Sequence, residues 1–198
     1  MKAIPLWIAV SITVVVALPF GLWLGSWNLP LWLAFIVWAE YFTLGAKPAA
    51  LKTMYPAFIA GVIGGSFTVF CSLVAGKIFG TASIVTPGDV AWFVGLFVGF
   101  IPVIYAMKFM PFVQGPGGLP YFNGISMSLA TFFVGSYAAY GGLTLPEGSV
   151  WAPVITAIPA ILGGLLGGFL GWLNIAIMTP FGQKTASQPA AAEAAVEA

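Results

Sequence analysis

Six apolar runs follow one another along the chain, and most of them are long enough to cross a lipid bilayer. A membrane-spanning helix needs about 20 consecutive apolar residues. Inside lipid the backbone must satisfy its own hydrogen bonds, so such runs become helices. The sequence therefore predicts an all-α integral membrane protein with about six transmembrane helices, and five or seven spans stay open. The runs are residues 4–26, 29–45, 54–76, 89–107, 119–141 and 150–178.

Two of these runs have an unusual length. Residues 29–45 are short and could form a re-entrant segment, so whether they cross the bilayer fully is left open. Residues 150–178 are long, and Pro153 and Pro159 indicate a kink or a start that lies along the membrane surface.

The scarcity of charged side chains supports a membrane protein and excludes other classes. Charged residues make up 6% of the chain, against about a quarter in soluble domains. A net charge of +1 indicates no nucleic-acid partner. The sequence has no histidine and no arginine, which removes the commonest metal ligand, the commonest general base and the bidentate anion clamp. The lone Cys71 is interpreted as a buried, inert thiol.

The lysines predict how the chain is oriented. With six spans, only Lys77 falls on the side opposite the two termini, near Asp89 and Glu147. The positive-inside rule then places both termini in the cytoplasm. The lysines on the side of the termini are Lys2, Lys47, Lys52, Lys108 and Lys184.

The sequence reads as one polytopic membrane domain, residues 1–182, with a tail of residues 183–198. The tail is rich in alanine and has no apolar periodicity, so we expect it to be disordered and cytoplasmic. At the other end, Lys2 followed by an apolar run resembles a secretory signal. No small-x-small cleavage site follows, so the segment is kept as a helix.

Glycine recurs at four-residue spacing in the last run. Gly163, Gly167 and Gly171 form one row, and Gly164 and Gly168 form the next. In water each glycine costs a helix roughly 1 kcal/mol relative to alanine, whereas between membrane helices it provides a smooth contact face. We therefore expect helix packing at these positions. In the third run the corresponding residues are Gly61, Gly64 and Gly65.

The third and last runs also align with each other. A shift of 103 positions places Pro56 on Pro159 and Gly61 on Gly164. The second run aligns with the fifth, and the first with the fourth, in the same order. Three spans per half would insert the halves in opposite senses, as in transporters whose solute site lies near the midplane between inverted repeats. The predicted halves are residues 4–79 and 88–178, and the alternative is that the glycines only permit close packing.

Glu40 is the sharpest candidate for a functional side chain. It lies roughly 13–14 Å from the outer end of the second run, close to the middle of a ~30 Å hydrocarbon core. A charged residue there costs about 2.5–3.5 kcal/mol, so it should face a partner or a water-filled cavity. One interpretation is a polar contact on a solute path, flanked by Trp38 and Tyr41. The other is a carboxyl group bonded to a neighbouring helix, or near the inner interface with Lys47 two turns along the same face; its charge stays open.

The fifth run is the most polar of the six. Its serines and threonines could line a pathway, or they could bond their own backbone carbonyls within packed helices. Asn174 in the last run has no such local partner, so we expect it to bond across a helix interface. The candidate pathway residues are Glu40, Trp38, Tyr41, Asn123, Ser126, Thr131 and Asn174.

No catalytic residue, metal site or cofactor is predicted. The sequence offers no nucleophile–base pair and no cluster of metal ligands. Gly115-Pro116-Gly117-Gly118 lacks the lysine and the serine or threonine of a phosphate-binding loop. The chain is therefore not expected to be an enzyme.

Short apolar motifs carry a resemblance to a known family. Trp32, Phe35, Tyr41-Phe42 and Leu51-Lys52, followed by Ala130-Thr131-Phe132, resemble the YcdZ-like family of bacterial inner-membrane proteins. The resemblance covers about the middle two-thirds of the chain. It implies a helical bundle in the bacterial inner membrane and no activity. Glu40 is not part of the family pattern, so no shared role for it is implied.

The leading functional hypothesis is a channel or transporter for a small neutral or cationic solute, with the pathway between the two halves. The absence of arginine makes a tightly held anion a poorer fit. The alternative is a non-transporting membrane subunit or scaffold that packs against partners through its glycine faces. Besides the lipid bilayer and a small-molecule solute, the sequence leaves open whether the chain forms a homo-oligomer.

Overall fold

The computed structural model describes residues 4–179, and over these residues every regular element is a helix. The predicted all-α class is therefore confirmed. Lys2, Lys184 and the predicted tail of residues 183–198 lie outside the described residues. The helices are α1 (Leu6–Leu22), α2 (Leu31–Thr43), α3 (Pro48–Phe79), α4 (Asp89–Ala106), α5 (Gly118–Val134) and α6 (Ala152–Met178), and short 3₁₀ turns occur in three of the loops.

Three of the described helices are long and apolar enough to cross a membrane. They are α3 with 32 residues, α4 with its 3₁₀ extension with 21 residues, and α6 with 27 residues. The other three helices are shorter than the roughly 20 residues that a full crossing needs. Helices α1 and α5 have 17 residues each and α2 has 13.

Turn residues explain where the shorter helices end. Helix α2 stops at Thr43 because Gly45 and Ala46 turn the chain with φ values of +91° and +52°. Helix α5 stops at Val134 because Gly135 adopts the left-handed conformation, so residues 135–141 of the fifth predicted span lie outside the α-helix. Helix α3 instead begins early, at Pro48, where a proline fits the first turn.

The packing divides the helices into two groups that cut across the sequence halves. Helix α3 makes its most extensive contacts with α5 and α4, whereas α6 packs against α2 and α1. We call α3, α4 and α5 the α3 unit, and α1, α2 and α6 the α6 unit. The two units meet mainly where α3 crosses α6, with further contacts between α5 and α6. The third helix of each half thus packs on the first two helices of the other half.

Loops gather at two opposite ends of the bundle. At one end, which we call the far end, the ring centroids of Trp27 and Tyr140 are 5.3 Å apart, and those of Trp92 and Phe133 are 5.1 Å apart. This end holds the loops 23–30, 80–88 and 135–151.

The opposite end, which we call the lysine end, holds the loops 44–47 and 107–117. Gly117 lies beside Thr53 in the second turn of α3, which brings the two loops to the same end. The lysine end carries Lys47, Lys52 and Lys108, whereas the far end carries Lys77, Asp89 and Glu147.

The two glycine rows of α6 face two different helices. A Cβ atom on Gly163, Gly167 or Gly171 would collide with α2, and one on Gly164 or Gly168 would collide with α3. Each row of glycines, spaced four residues apart, therefore lets α6 pack closely on one neighbouring helix, α2 or α3. It lets α6 join its own unit through one row and the α3 unit through the other.

The glycines of α3 let this helix pack closely on α4 and α5. A Cβ atom on Gly61 or Gly65 would meet the backbone of α5, and one on Gly64 would lie 2.8 Å from a methyl group of Val103 in α4. Gly124 of α5 faces back onto α3, so the α3 and α5 backbones touch at a glycine on both sides.

Helix α2 covers only part of the length of α6. At its start, Pro30 Cγ would lie 3.0 Å from a Cβ atom on Gly163, which is 11 residues into α6 from Ala152. At 1.5 Å per residue, α2 begins about 16 Å below the far end of α6. Residues 29–45 therefore run from mid-depth to the lysine end.

Candidate functional site

Glu40 is buried in the half of the bundle that lies toward the lysine end. Its side chain is 3% exposed. The next residue, Tyr41, packs against Gly171, which is seven residues before the end of α6 at Met178. That spacing corresponds to about 10 Å along the helix. Glu40 therefore lies between the middle and the lysine end of α6, and its depth in a bilayer stays a prediction.

The Glu40 carboxyl group is close to one polar side chain from the other unit. Asn123 of α5 approaches it, although neither carboxyl oxygen has a hydrogen-bond partner among residues 4–179. The sequence predicts Lys47 on the same helical face as Glu40, and this prediction is wrong. Helix α2 ends at Thr43, and Lys47 caps the start of α3 with its own side chain exposed.

Unpaired buried polar atoms are concentrated around this position. Over the described residues, the buried side-chain nitrogen and oxygen atoms without a partner belong to Trp38, Glu40 and Tyr41 of α2 and to Asn174 of α6. Most buried polar groups in folded proteins are paired, and unpaired ones call for an explanation such as a ligand or water. We call Glu40 and Asn123 the Glu40 site.

The two aromatic side chains beside Glu40 point into different clusters. Trp38 packs with Ala17 of α1 and with Leu166 and Leu170 of α6. Tyr41 belongs to the cluster that contains Met54 of α3. The predicted pair of aromatic neighbours is therefore divided between the interior of the α6 unit and the interface between units.

Asn174 bonds across a helix interface, as expected. Its Nδ2 atom donates to Thr13 Oγ1 of α1 at 3.3 Å, and the Thr13 hydroxyl donates to the carbonyl of Ala9 at 2.8 Å. Both side chains are fully buried. The bond joins α1 to α6 and places Asn174 in the α6 unit.

The polar residues of α5 occupy separate faces. Ser126 lies on the exposed face with Phe122 and Phe133, away from the bundle interior. Thr131 is buried and donates to the carbonyl of Met127 at 2.7 Å, within its own helix. Of the candidate pathway residues in α5, only Asn123 is brought beside Glu40.

A hydroxyl-hydroxyl contact links α5 to α3 instead. The Oγ atoms of Ser128 and Ser66 lie 3.1 Å apart and both side chains are buried. This contact lies within the α3 unit, so it joins helices and opens onto no passage between the units.

A second site lies at the far end, where the sequence analysis identified no functional residue. Loops 23–30 and 135–151 enclose a pocket of about 320 Å³. Its only sequence signal is the clustering of small and polar residues in two loops that are far apart in the chain. The lining residues are Gly21, Gly25, Ser26, Asn28, Ser136, Tyr137, Ala139 and Tyr140.

The Glu40 site offers hydrogen-bond acceptors and donors from two helices. A carboxylate and a side-chain amide can bind a cation or a small molecule that donates hydrogen bonds. Within residues 4–179 no group of three His, Cys, Asp or Glu side chains is placed to hold a metal ion.

Comparisons with known proteins do not assign this chain. No family model matches it, and no curated protein or solved structure matches it either. The resemblance to the YcdZ-like family stays a prediction, and the functional argument rests on the geometry of the Glu40 site.

Proposed function

We propose that this chain is an inner-membrane channel or transporter for a small neutral or cationic solute, built from six membrane-inserted helices. The observation that carries the proposal is the Glu40 carboxyl group, which is buried between the two units with both oxygens unpaired. A carboxyl group in that setting is stabilised by water or by a solute that donates hydrogen bonds to it. Asn123 adds a second polar group from the opposite wall.

The contact pattern supports an inverted repeat of three helices. Exchanging α1–α3 with α4–α6 turns the contacts of α3 with α4 and α5 into the contacts of α6 with α1 and α2. The α3–α6 contact maps onto itself. An odd number of helices per half inserts the halves in opposite senses, and solute sites in such proteins lie where the halves meet. The Glu40 site has that location between the units.

The distribution of lysines supports an orientation with the lysine end in the cytoplasm. Lys47, Lys52 and Lys108 lie there, against Lys77 alone at the far end of the described chain. The positive-inside rule places such an end on the cytoplasmic side. In this orientation the far end, with its pocket, faces outward, and the Glu40 site lies toward the cytoplasm.

The alternative of a non-transporting subunit loses its main support. It requires glycine faces that are free to receive partner helices. Each of the eight glycines predicted to pack helices already faces a helix of this same chain. No other observation in residues 4–179 favours a partner protein.

Flux through proteoliposomes tests the proposal. Glu40→Gln keeps the shape of the side chain and removes its charge. Hydrogen bonds to charged groups contribute about 1.5–3 kcal/mol, so we expect solute flux to fall by roughly one to two orders of magnitude. The measurement is stopped-flow light scattering with glycerol, urea and methylammonium as solutes.

Glu147→Gln is the matched control, because it makes the same chemical change on an exposed far-end loop. We expect it to leave flux unchanged. The proposal fails if no solute crosses faster than in protein-free liposomes, or if both variants conduct like the unmodified chain.

A further inference from the structure

The pocket at the far end has walls that are held in place by specific contacts. Tyr140 donates a hydrogen bond from its hydroxyl to the carbonyl of Trp27 at 3.1 Å, and the two rings meet edge to face. Gly141, with φ of +65°, lies under the Trp27 ring, where a Cβ atom would be 2.6 Å from a ring carbon. The contacts of Trp27 with Tyr140 and Gly141 therefore hold the loops after α1 and α5 against each other.

The wall contributed by the first loop is also internally bonded. Asn28 Oδ1 accepts the backbone N–H of Leu24 at 2.9 Å, and the N–H of Leu29 reaches the carbonyl of Phe20 at 2.8 Å. These bonds satisfy the backbone where α1 has ended and α2 has not begun. Irregular backbone at membrane depth is tolerated where it is bonded or lines a water-filled cavity.

Several polar groups of the lining residues take no part in these hydrogen bonds. Among residues 4–179, the hydroxyls of Ser26, Ser136 and Tyr137 make no hydrogen bond, and the Asn28 amide nitrogen has no acceptor. Burial raises the pKa of Tyr137, so its hydroxyl is a neutral donor. The lining residues include no charged side chain.

Size and chemistry together select the class of ligand. A volume of about 320 Å³ holds on the order of ten water molecules, which suits a compact solute. Hydroxyls and a side-chain amide favour a molecule that both donates and accepts hydrogen bonds. Tyr137 and Tyr140 supply an aromatic wall for its less polar face.

We propose that the far-end pocket between loops 23–30 and 135–151 is a binding site for a small neutral polar molecule of the polyol or urea type. The site is separate from Glu40 and exists whether or not the chain carries the molecule across the bilayer.

Protection of an introduced cysteine from modification tests this site. In a Cys71→Ser background, Ser136→Cys places one thiol in the pocket of the full chain in nanodiscs. We expect erythritol and urea to slow its reaction with a maleimide saturably. Thr144→Cys, on the same loop but outside the pocket lining, should react at a rate that neither solute changes.

Two further variants separate binding from packing and from transport. Tyr137→Phe keeps the ring and removes one hydrogen bond, so half-protection should need a several-fold higher solute concentration. Glu40→Gln should leave protection unchanged, because Glu40 is not part of the pocket.

The proposal is overturned if neither erythritol nor urea protects the thiol, or if Thr144→Cys is protected equally. It is also overturned if methylammonium alone protects, which would assign the pocket to a cation. If the unmodified chain passes no solute in the proteoliposome experiment while protection here is intact, the transport proposal is refuted and this one stands.

Discussion

At the scale of single residues, the sequence identifies unusual side chains better than it identifies their neighbours. Glu40 stands out as a carboxyl group in an apolar run, and it is buried with unpaired oxygens. The position of Glu40 along the bundle depends on where α2 begins beside α6, which the sequence around Glu40 does not show. Ser126 and Asn123 are three residues apart, a spacing that predicts a shared helical face. Ser126 is nevertheless exposed, since spacing does not say which face is inside.

Two glycines with different surroundings lead to a prediction about the stability of the fold. A Cβ atom on Gly124 would collide with the carbonyl of Phe58, whereas one on Gly76 would meet nothing within 4 Å. We expect Gly124→Ala to destabilise the fold by about 1–3 kcal/mol through overpacking. Gly76→Ala should be neutral or slightly stabilising, because alanine is the better helix former. Thermal unfolding of both variants in the same detergent measures the difference, and equal midpoints would contradict the close α3–α5 contact.

At the scale of helices, the existence of each element follows from its apolar run, but its ends do not. All six predicted runs contain a helix. Gly135 ends α5 early and Pro48 starts α3 early, because turn conformation and first-turn geometry outweigh hydropathy at helix ends. Recurring glycines predict a repeat, whereas the packing of α3 and α6 on helices of the opposite half depends on contacts that are distant in sequence.

Site-directed labelling tests how many of these helices cross the bilayer. In a Cys71→Ser background, Thr144→Cys lies on a far-end loop and Gln114→Cys on a lysine-end loop, and both positions are exposed. A membrane-impermeant maleimide should label Thr144→Cys in intact cells and Gln114→Cys only after the membrane is opened. Labelling of both in intact cells would contradict six alternating crossings, and the reverse pattern would contradict the orientation.

At the scale of the whole molecule, the two halves of the sequence are interlocked. Helix α3 has its main partners in the second half, and α6 has three of its partners, α1, α2 and α3, in the first. Neither half can bury the glycine face of its third helix by itself. The fold therefore becomes stable only when both halves are present.

Cutting the chain in the loop between α3 and α4 tests this interlocking. Residues 1–84 and 85–198, expressed together, should co-purify as a folded complex. Each half expressed alone should be degraded or aggregate, because its third helix lacks the helices it packs against. The intact chain is the reference for thermal stability and protease resistance. A single half that is compact and protease-resistant would show that the units are the sequence halves.

The shortness of α1 and α2 has a consequence for the lipid around the protein. With 17 residues, α1 presents an apolar belt about 25 Å high, whereas α4 and its extension, with 21 residues, present one of about 30 Å. In the proposed arrangement of six membrane-inserted helices, hydrocarbon chains beside α1 would shorten to meet this hydrophobic mismatch, at a cost of fractions of a kcal/mol per ångström. The annulus of lipid would then be thinner on one flank than on the other, and a membrane of short acyl chains would relieve the strain beside α1.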